Sequence, residues 1–364
     1  MPFLQLLSFI FGLWIVFLTI RSAVRTYLLP RAARDAISGI TFRVLRFAFH
    51  VLAIPKKNYE DRDHVLAYFV PFGLLGLLAV WLTLILIGYT FMFWALSLDV
   101  STFDSWGTAF LISGSSLFTL GNATVETVPQ KILSFSEAAL GPTLIALLIG
   151  YMPTIYGAFS KRESLVNLLE VRAGSPPCAV DMICRYNRLH GIETIHEVWD
   201  RWEEWFSDLD ETHTSLAMLN FLRSPVPEHS WVNAAAAVMD AAALVVSTVE
   251  TPPDAQASLC LRGGYIALRR IADYFHVKYD PDPKPDDPIS VTRAEYDRAL
   301  ELLAAEEVPL KKDRDRAWKD FAGWRVNYDA VLLALARLTD APPAPWTSPE
   351  MREQRRPPLF GRGS

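Results

Sequence analysis

The chain has 364 residues, of which 51% are hydrophobic and 21% charged; its mean hydropathy is +0.19 and its formal net charge −5. Positive hydropathy beside that many charges requires the two to be segregated along the chain, and the modest net charge gives no hint of nucleic-acid binding. Three cysteines, Cys178, Cys184 and Cys260, all beyond residue 160, fit a reducing compartment better than a disulfide framework.

The segregation is plain: the long uncharged runs fall within the first 160 residues, and the remainder reads as a water-soluble helical domain. Pro2 to Ile20 is an uncharged run of about 19 residues, enough to cross a bilayer. No Lys or Arg precedes it and no small-residue cleavage site follows before Arg21 and Arg25, which favours a retained span over a signal peptide. Residues 1–29 are therefore the first transmembrane helix. Residues 30–63 form a basic linker carrying Arg31, Arg34, Arg43, Arg46, Lys56, Lys57 and Arg62. The positive-inside rule makes it cytoplasmic and puts the N-terminus outside. Within it, Arg43, Arg46 and His50 recur opposite Ile40, Val44, Phe47 and Val51, the pattern of an interfacial helix over 36–54. Such a helix either meets anionic lipid, couples to the membrane bundle, or is a solvated basic face that only sets topology.

Val65 to Leu98 is uncharged over about 34 residues, more than a perpendicular span requires. Pro71 marks an early turn or kink, and Tyr89, Phe91, Phe93 and Trp94 collect at the far end, where an aromatic belt is expected. Asp99 to Lys131 holds three acidic groups (Asp99, Asp104, Glu126) and one base, as an external loop does. Inside it lies Thr108 to Thr124, TAFLISGSSLFTLGNAT, too short to cross and too apolar for an ordinary loop. A segment of this kind is re-entrant: a short helix, started by Asp104 and ending about Phe118, followed by irregular backbone that must be buried or line a water-filled path. The helix's C-terminal dipole end points inward, which suits a cation. Ser113, Ser115 and Ser116 either hydrogen-bond behind the return leg or are small packing residues.

Ser115-Ser116-Leu117-Phe118-Thr119-Leu120-Gly121, with its flanking spans, resembles the pore-loop module of the potassium channel superfamily over roughly residues 65 to 165. In that family a Thr-Val-Gly-Tyr-Gly strand from each of four subunits turns carbonyl oxygens toward dehydrated ions. Thr119, Leu120 and Gly121 fall on the first three positions, while Asn122 replaces Tyr and Ala123 replaces the second Gly. The resemblance implies ion-binding by Thr119, Leu120, Gly121, Asn122 and Ala123, support from Ser115 and Ser116, and a homotetramer. Ala adopts positive φ less cheaply than Gly, so the outermost ring of carbonyls is expected to be reshaped.

The third span, Ala138 to Ser160, ends in Lys161-Arg162 and is expected to line the inner pore. Gly141, Pro142, Gly150, Pro153 and Gly157 interrupt it; Gly150 and Pro153 are hinge candidates, the alternative being that small residues only allow close helix approach. Glu137, at the outer end, either adds negative charge to the mouth or is a solvated helix start, the second being favoured. The pore module thus covers residues 64–162.

Residues 163–340 read as a cytoplasmic helical domain with no alternating β-branched run. Helices are predicted over Glu163–Val171, Ala179–His190, Ile192–Phe206, Thr212–Leu222, Trp231–Val249, Ala255–Phe275, Arg293–Glu307 and Asp313–Leu338, and Thr292 with Glu295 forms a capping box. Val277 to Ser290, alternating Pro and Asp, splits the domain into two lobes, and residues 341–364 form a disordered Pro/Arg-rich tail. Trp231 to Val249 approaches a span in length, but Asp240 at its centre makes it a buried core helix, since a mid-bilayer charge costs about 2.5–3.5 kcal/mol on insertion scales. The pattern Trp202…Trp205…Glu211-Thr212-His213…Arg223-Ser224-Pro225…Ser230-Trp231…Asp240-Ala241-Ala242 resembles the cytoplasmic domain joined to this pore module in bacterial, especially actinobacterial, channel-family proteins.

Enzymatic chemistry is not indicated: the domain has no glycine-rich phosphate loop, no dinucleotide fingerprint and no paired metal-cysteine motif. Gly263-Gly264 is taken as a helix interruption. His190, His196 and His213, with Asp210 and Glu211, are the only candidates for a metal or proton-sensing site, against ordinary structural roles. Trp199, Trp202 and Trp205 form a stripe suited to core packing, or, less readily, to a ligand cage. The expectation is an all-α membrane protein with three transmembrane helices, a re-entrant pore helix and filter between the second and third, and a cytoplasmic helical domain. It would conduct a monovalent cation, potassium foremost, across the bacterial plasma membrane. No cofactor and no nucleic-acid partner are expected; membrane lipid and further copies of the chain are. A weakly selective channel and a non-conducting membrane-anchored scaffold are the alternatives.

Overall fold

The computed structural model describes residues 2–29, 35–56, 58–97, 104–125, 127–189 and 191–346. Among them the protein is helical, with a single isolated antiparallel bridge between Val249 and Leu310. Two compact units divide the chain, Met1–Gly157 and Ala158–Ser364. Among the described residues five helices are long and apolar enough to cross a membrane, four of them contributing to the first unit. The outward faces of that unit carry Phe3, Leu7, Trp14 and Phe17, more apolar surface than water tolerates on a monomer. A bilayer is the solvent such a surface fits, as in a multi-pass membrane protein.

The first unit is organised by α1 (Pro2–Tyr27) and α4 (Phe69–Ala95), packed antiparallel. Gln5 Nε2 donates to Ser97 O at 3.4 Å, Ser8 Oγ to Phe91 O at 3.0 Å, and the Tyr27 ring meets Trp81 edge-on at 5.1 Å. Midway, Gly12 and Gly88 face each other so closely that a Cβ on Gly12 would lie 2.3 Å from Gly88 O, and one on Gly88 2.9 Å from Gly12 O. Only glycine permits that approach. Along α4, Leu77, Trp81, Ile85, Tyr89, Met92 and Phe93 are buried at helical spacing. The aromatic cluster expected as a belt is thus mostly interior: Trp94 stacks on Trp106 at 4.5 Å and donates to Ser105 Oγ at 3.1 Å, and Tyr89 bonds Ser136 at 2.8 Å.

α2 (Ala36–Ala53) is the helix expected over 36–54. Asp35 caps it, accepting from Ser38 N at 3.1 Å, and accepts from Ser22 Oγ at 2.5 Å; Ser22 in turn accepts from Trp81 Nε1 at 3.0 Å. This buried polar chain ties the start of α2 to the end of α1. The helix then covers the first turns of α4, which extend past Tyr27, with Leu45 over Gly76 and Phe49 against Phe69 and Phe72. Its apolar stripe Ile40, Val44, Phe47 and Val51 stays exposed. A short α3 (Tyr59–Ala67) links the two.

In the second unit α7 (Ala179–Arg188), α8 (His196–Ser215), α10 (Ala255–Tyr274), α11 (Arg293–Ala305), α12 (Arg314–Arg325) and α13 (Asp329–Leu338) surround α9 (Trp231–Thr248). Of the residues of α9, 94% are buried, so it is a core helix, as expected from Asp240. Its alanines let the neighbours close on it. Trp199, Trp202 and Trp205 belong to the same core, which settles the stripe as packing.

Several details differ from the sequence-based expectation. One continuous core includes residues on both sides of 277–290, so there are not two lobes. α8 continues to Ser215 and a 3₁₀ turn follows at Ala217–Phe221, in place of separate helices ending at Phe206 and beginning at Thr212. The predicted helix 313–338 is two, because at the break Arg325 and Tyr328 fold inward to donate to Asp240, and Arg325 also donates to Asp329. α10 runs through Gly263-Gly264; the bare Cα of Gly264 seats Met239, whose Sδ would be 2.8 Å from a Cβ there. The capping box of Thr292 and Glu295 forms as expected. The expected disordered tail begins too early: Ala344 is buried, Asn233 Nδ2 donates to Pro342 O at 2.7 Å and Arg325 Nη2 to Trp346 O at 3.0 Å. The rest of that tail lies outside the described residues.

Candidate functional site

The re-entrant segment is built on α5 (Asp104–Leu117), between α4 and α6 (Val128–Ala173). α6 is longer than the predicted span and includes the predicted helix 163–171, since nothing between Ser160 and Glu163 interrupts helical hydrogen bonding. α5 ends in a Schellman turn: Leu120 N donates to Ser115 O at 2.8 Å and Thr119 N to Ser116 O at 3.1 Å. Thr119 takes the left-handed position of that turn with φ 53°, where glycine is usual, and Gly121 follows at φ 70°. Ala123 is not left-handed, so the penalty expected there does not arise.

Three serines of α5 hold the segment. Ser115 Oγ, buried, accepts from Asn122 N at 3.1 Å and Ala123 N at 3.2 Å, the hydrogen-bonding one of the two alternatives left open for it. Ser116 does otherwise, bonding Ser134 of α6 at 2.7 Å. Ser113 Oγ lies 3.1 Å from Leu86 O of α4 and 2.6 Å from Glu137 Oε1 of α6. One turn further along α6, Gly141 approaches Leu117 so closely that a Cβ would lie 2.3 Å from its carbonyl oxygen. Close approach is therefore the use made of Gly141.

With its amides turned back onto Ser115, the segment presents the other side outward. Phe118 and Leu120 are 52% and 66% exposed, and Thr119, Gly121 and Asn122 are exposed with them. Among the described residues no hydrogen bond ends on the carbonyl oxygens of Leu120 to Ala123. Backbone carbonyl oxygens are hard ligands, suited to a bare cation where several are brought together.

Glu137 overturns the solvated-start expectation: it is fully buried. The signal available in the sequence was a lone acid at the edge of an apolar run, which membrane helices avoid unless it faces the bundle interior. Gly150 and Pro153 lie on an exposed face of α6, which stays helical through both. Asp99 and Glu126 lie outside the described residues.

In the second unit the candidate histidine cluster does not assemble, and the ordinary structural roles favoured for these residues hold where they are described. His190 lies outside the described residues, His196 is exposed and bonds Glu193 O at 2.8 Å, and Asp210 pairs with Arg270. His213 is buried 3.3 Å from Arg162 Nη1 and against Trp231; burial, then the Arg162 charge, hold its pKa well below the usual histidine range. Arg162 also donates to Leu219 O at 2.8 Å and Leu222 O at 2.7 Å and pairs with Glu163, so the cluster is satisfied structurally. No group of three metal-ligating side chains occurs among the described residues. Cys184 and Cys260 are buried, and burial pushes the Cys260 thiol up, the reverse of a reactive thiolate. Compared with known proteins, the chain matches no family model, no curated protein and no solved structure.

Proposed function

We propose that the chain is one subunit of a tetrameric, passive cation channel. Each copy contributes residues Thr119 to Thr124 to a carbonyl-lined filter, and α6 lines the inner path and carries the gate near Gly150 and Pro153. The observation that carries this reading is the pair of backbone hydrogen bonds from Asn122 and Ala123 to Ser115, which folds a return segment with residues 118–122 exposed back onto α5. Potassium is the favoured ion, with a less selective monovalent cation path as the second reading, since Asn122 and Ala123 depart from the resembled filter. The second unit is assigned to the cytoplasm, where it assembles the tetramer or modulates the gate.

The test is ion flux from proteoliposomes of the purified full chain, under a potassium gradient and then a sodium gradient. Flux with potassium at least tenfold over sodium is expected, and Gly121→Val, which strains a φ of 70°, should abolish it while the protein still inserts. Equal flux favours the second reading. Absence of flux from verified tetramers, with and without the second unit, would overturn conduction and leave a membrane-anchored scaffold.

A further inference from the structure

Glu137 is costly where it stands. Its side chain is fully buried, Oε1 contacts Ser113 at 2.6 Å, and Oε2 has no hydrogen-bond partner among the described residues. A leucine would fill a similar volume without desolvating a carboxyl group, so packing alone does not account for this side chain. Its neighbours do. Ser113 and Ser116 lie one turn apart on α5, and Glu137 and Ser134 one turn apart on α6, so the two contacts form adjacent rungs between the helices. The Ser113 hydroxyl also reaches Leu86 O, which brings α4 to the same point. Ser115, between the rungs in sequence, is the residue that holds the Asn122 and Ala123 amides. A small rotation or slide of α5 would separate Ser115 from those amides, and the Glu137–Ser113 rung resists both movements.

We propose that Glu137 is the positioning residue of the re-entrant hairpin, fixing α5 through Ser113 and thereby the backbone of residues 119–124. The proposal rests on the channel reading only for what that backbone does; the holding itself is independent of it. The Ser134–Ser116 rung joins two hydroxyls that either partner can donate, whereas a carboxyl side chain offers a planar, directional contact.

The experiment compares full-length wild type with Glu137→Leu, Glu137→Gln and Ser113→Ala in nanodiscs, by amide hydrogen exchange of peptides covering 118–125, alongside flux in proteoliposomes. Glu137→Leu and Ser113→Ala should raise exchange at Asn122 and Ala123 at least tenfold and lower the potassium-to-sodium flux ratio. Glu137→Gln, which keeps a planar polar group, should retain both properties, and peptides of α9 should exchange as in wild type throughout. Wild-type exchange at 118–125 in both Glu137→Leu and Ser113→Ala would overturn the proposal. If Glu137→Leu does not fold, Ser113→Ala decides. Should wild type pass no ions while the exchange effect persists, the positioning role stands and the channel reading falls; flux with unaltered exchange overturns the positioning role alone.

Discussion

Thr119 and Gly121 share a left-handed backbone but not its cost. For a β-branched residue that conformation is unfavourable by about 1–2 kcal/mol, and for glycine it is nearly free. The Schellman turn holds Thr119 there through Leu120 N and Ser115 O. Thr119→Gly is therefore expected to stabilise the hairpin by about 1 kcal/mol, read as slower amide exchange at 118–125. If flux falls in that variant although the hairpin is firmer, the threonine side chain serves the ion path; unchanged flux would confine Thr119 to ending the helix. Sequence made Thr119, Gly121 and Ser115 legible, because a hydroxyl-rich stretch with one glycine stood between two uncharged runs. Glu137 was not legible in the same way: whether a carboxyl at a helix end is solvated depends on what packs over it, and Ser113 lies 24 residues away in the chain.

At the scale of elements, the first unit depends on the place where α1 and α4 nearly touch. Gly12→Ala would drive a Cβ to 2.3 Å from a backbone carbonyl that cannot rotate away, and about 2–3 kcal/mol of destabilisation is expected from overpacking. Gly39→Ala, in α2 with open space around it, should instead gain about 0.5–1 kcal/mol in helix propensity. Thermal unfolding of both variants in detergent checks the contrast, and equal melting temperatures would remove the glycine crossing as a determinant. The existence of nearly every helix was readable from periodicity and apolar run length. Two of the missed boundaries are set by tertiary contact: the break between α12 and α13, where Arg325 and Tyr328 reach Asp240, and the unbroken α10, where Gly264 seats Met239. In both, a partner distant in sequence overrides a local signal.

For the whole chain, one core across residues on both sides of 277–290 implies that the second unit unfolds as one body. Residues 158–346 expressed alone should show a single calorimetric transition with matching van't Hoff enthalpy, whereas two lobes would give two. His213 adds a pH dependence to that transition. Its folded pKa is depressed, so below about pH 6.5 the unfolded chain binds a proton that the folded one does not, and stability falls with pH by about 1.4 kcal/mol per unit. Stability should be level above that range, and His213→Gln should flatten the slope; an unchanged slope would mean another group titrates. One further consequence attaches to α9, whose length and apolarity would satisfy a bilayer although 94% of its residues are buried in protein. While the chain is being made, before α10 to α13 exist, α9 has two competing destinations. The Asp240 carboxylate makes the lipid destination expensive, by about 2.5–3.5 kcal/mol on insertion scales, and later receives Arg325 and Tyr328 inside the folded unit. A single acid thus first turns the helix away from the membrane and afterwards closes the core around it.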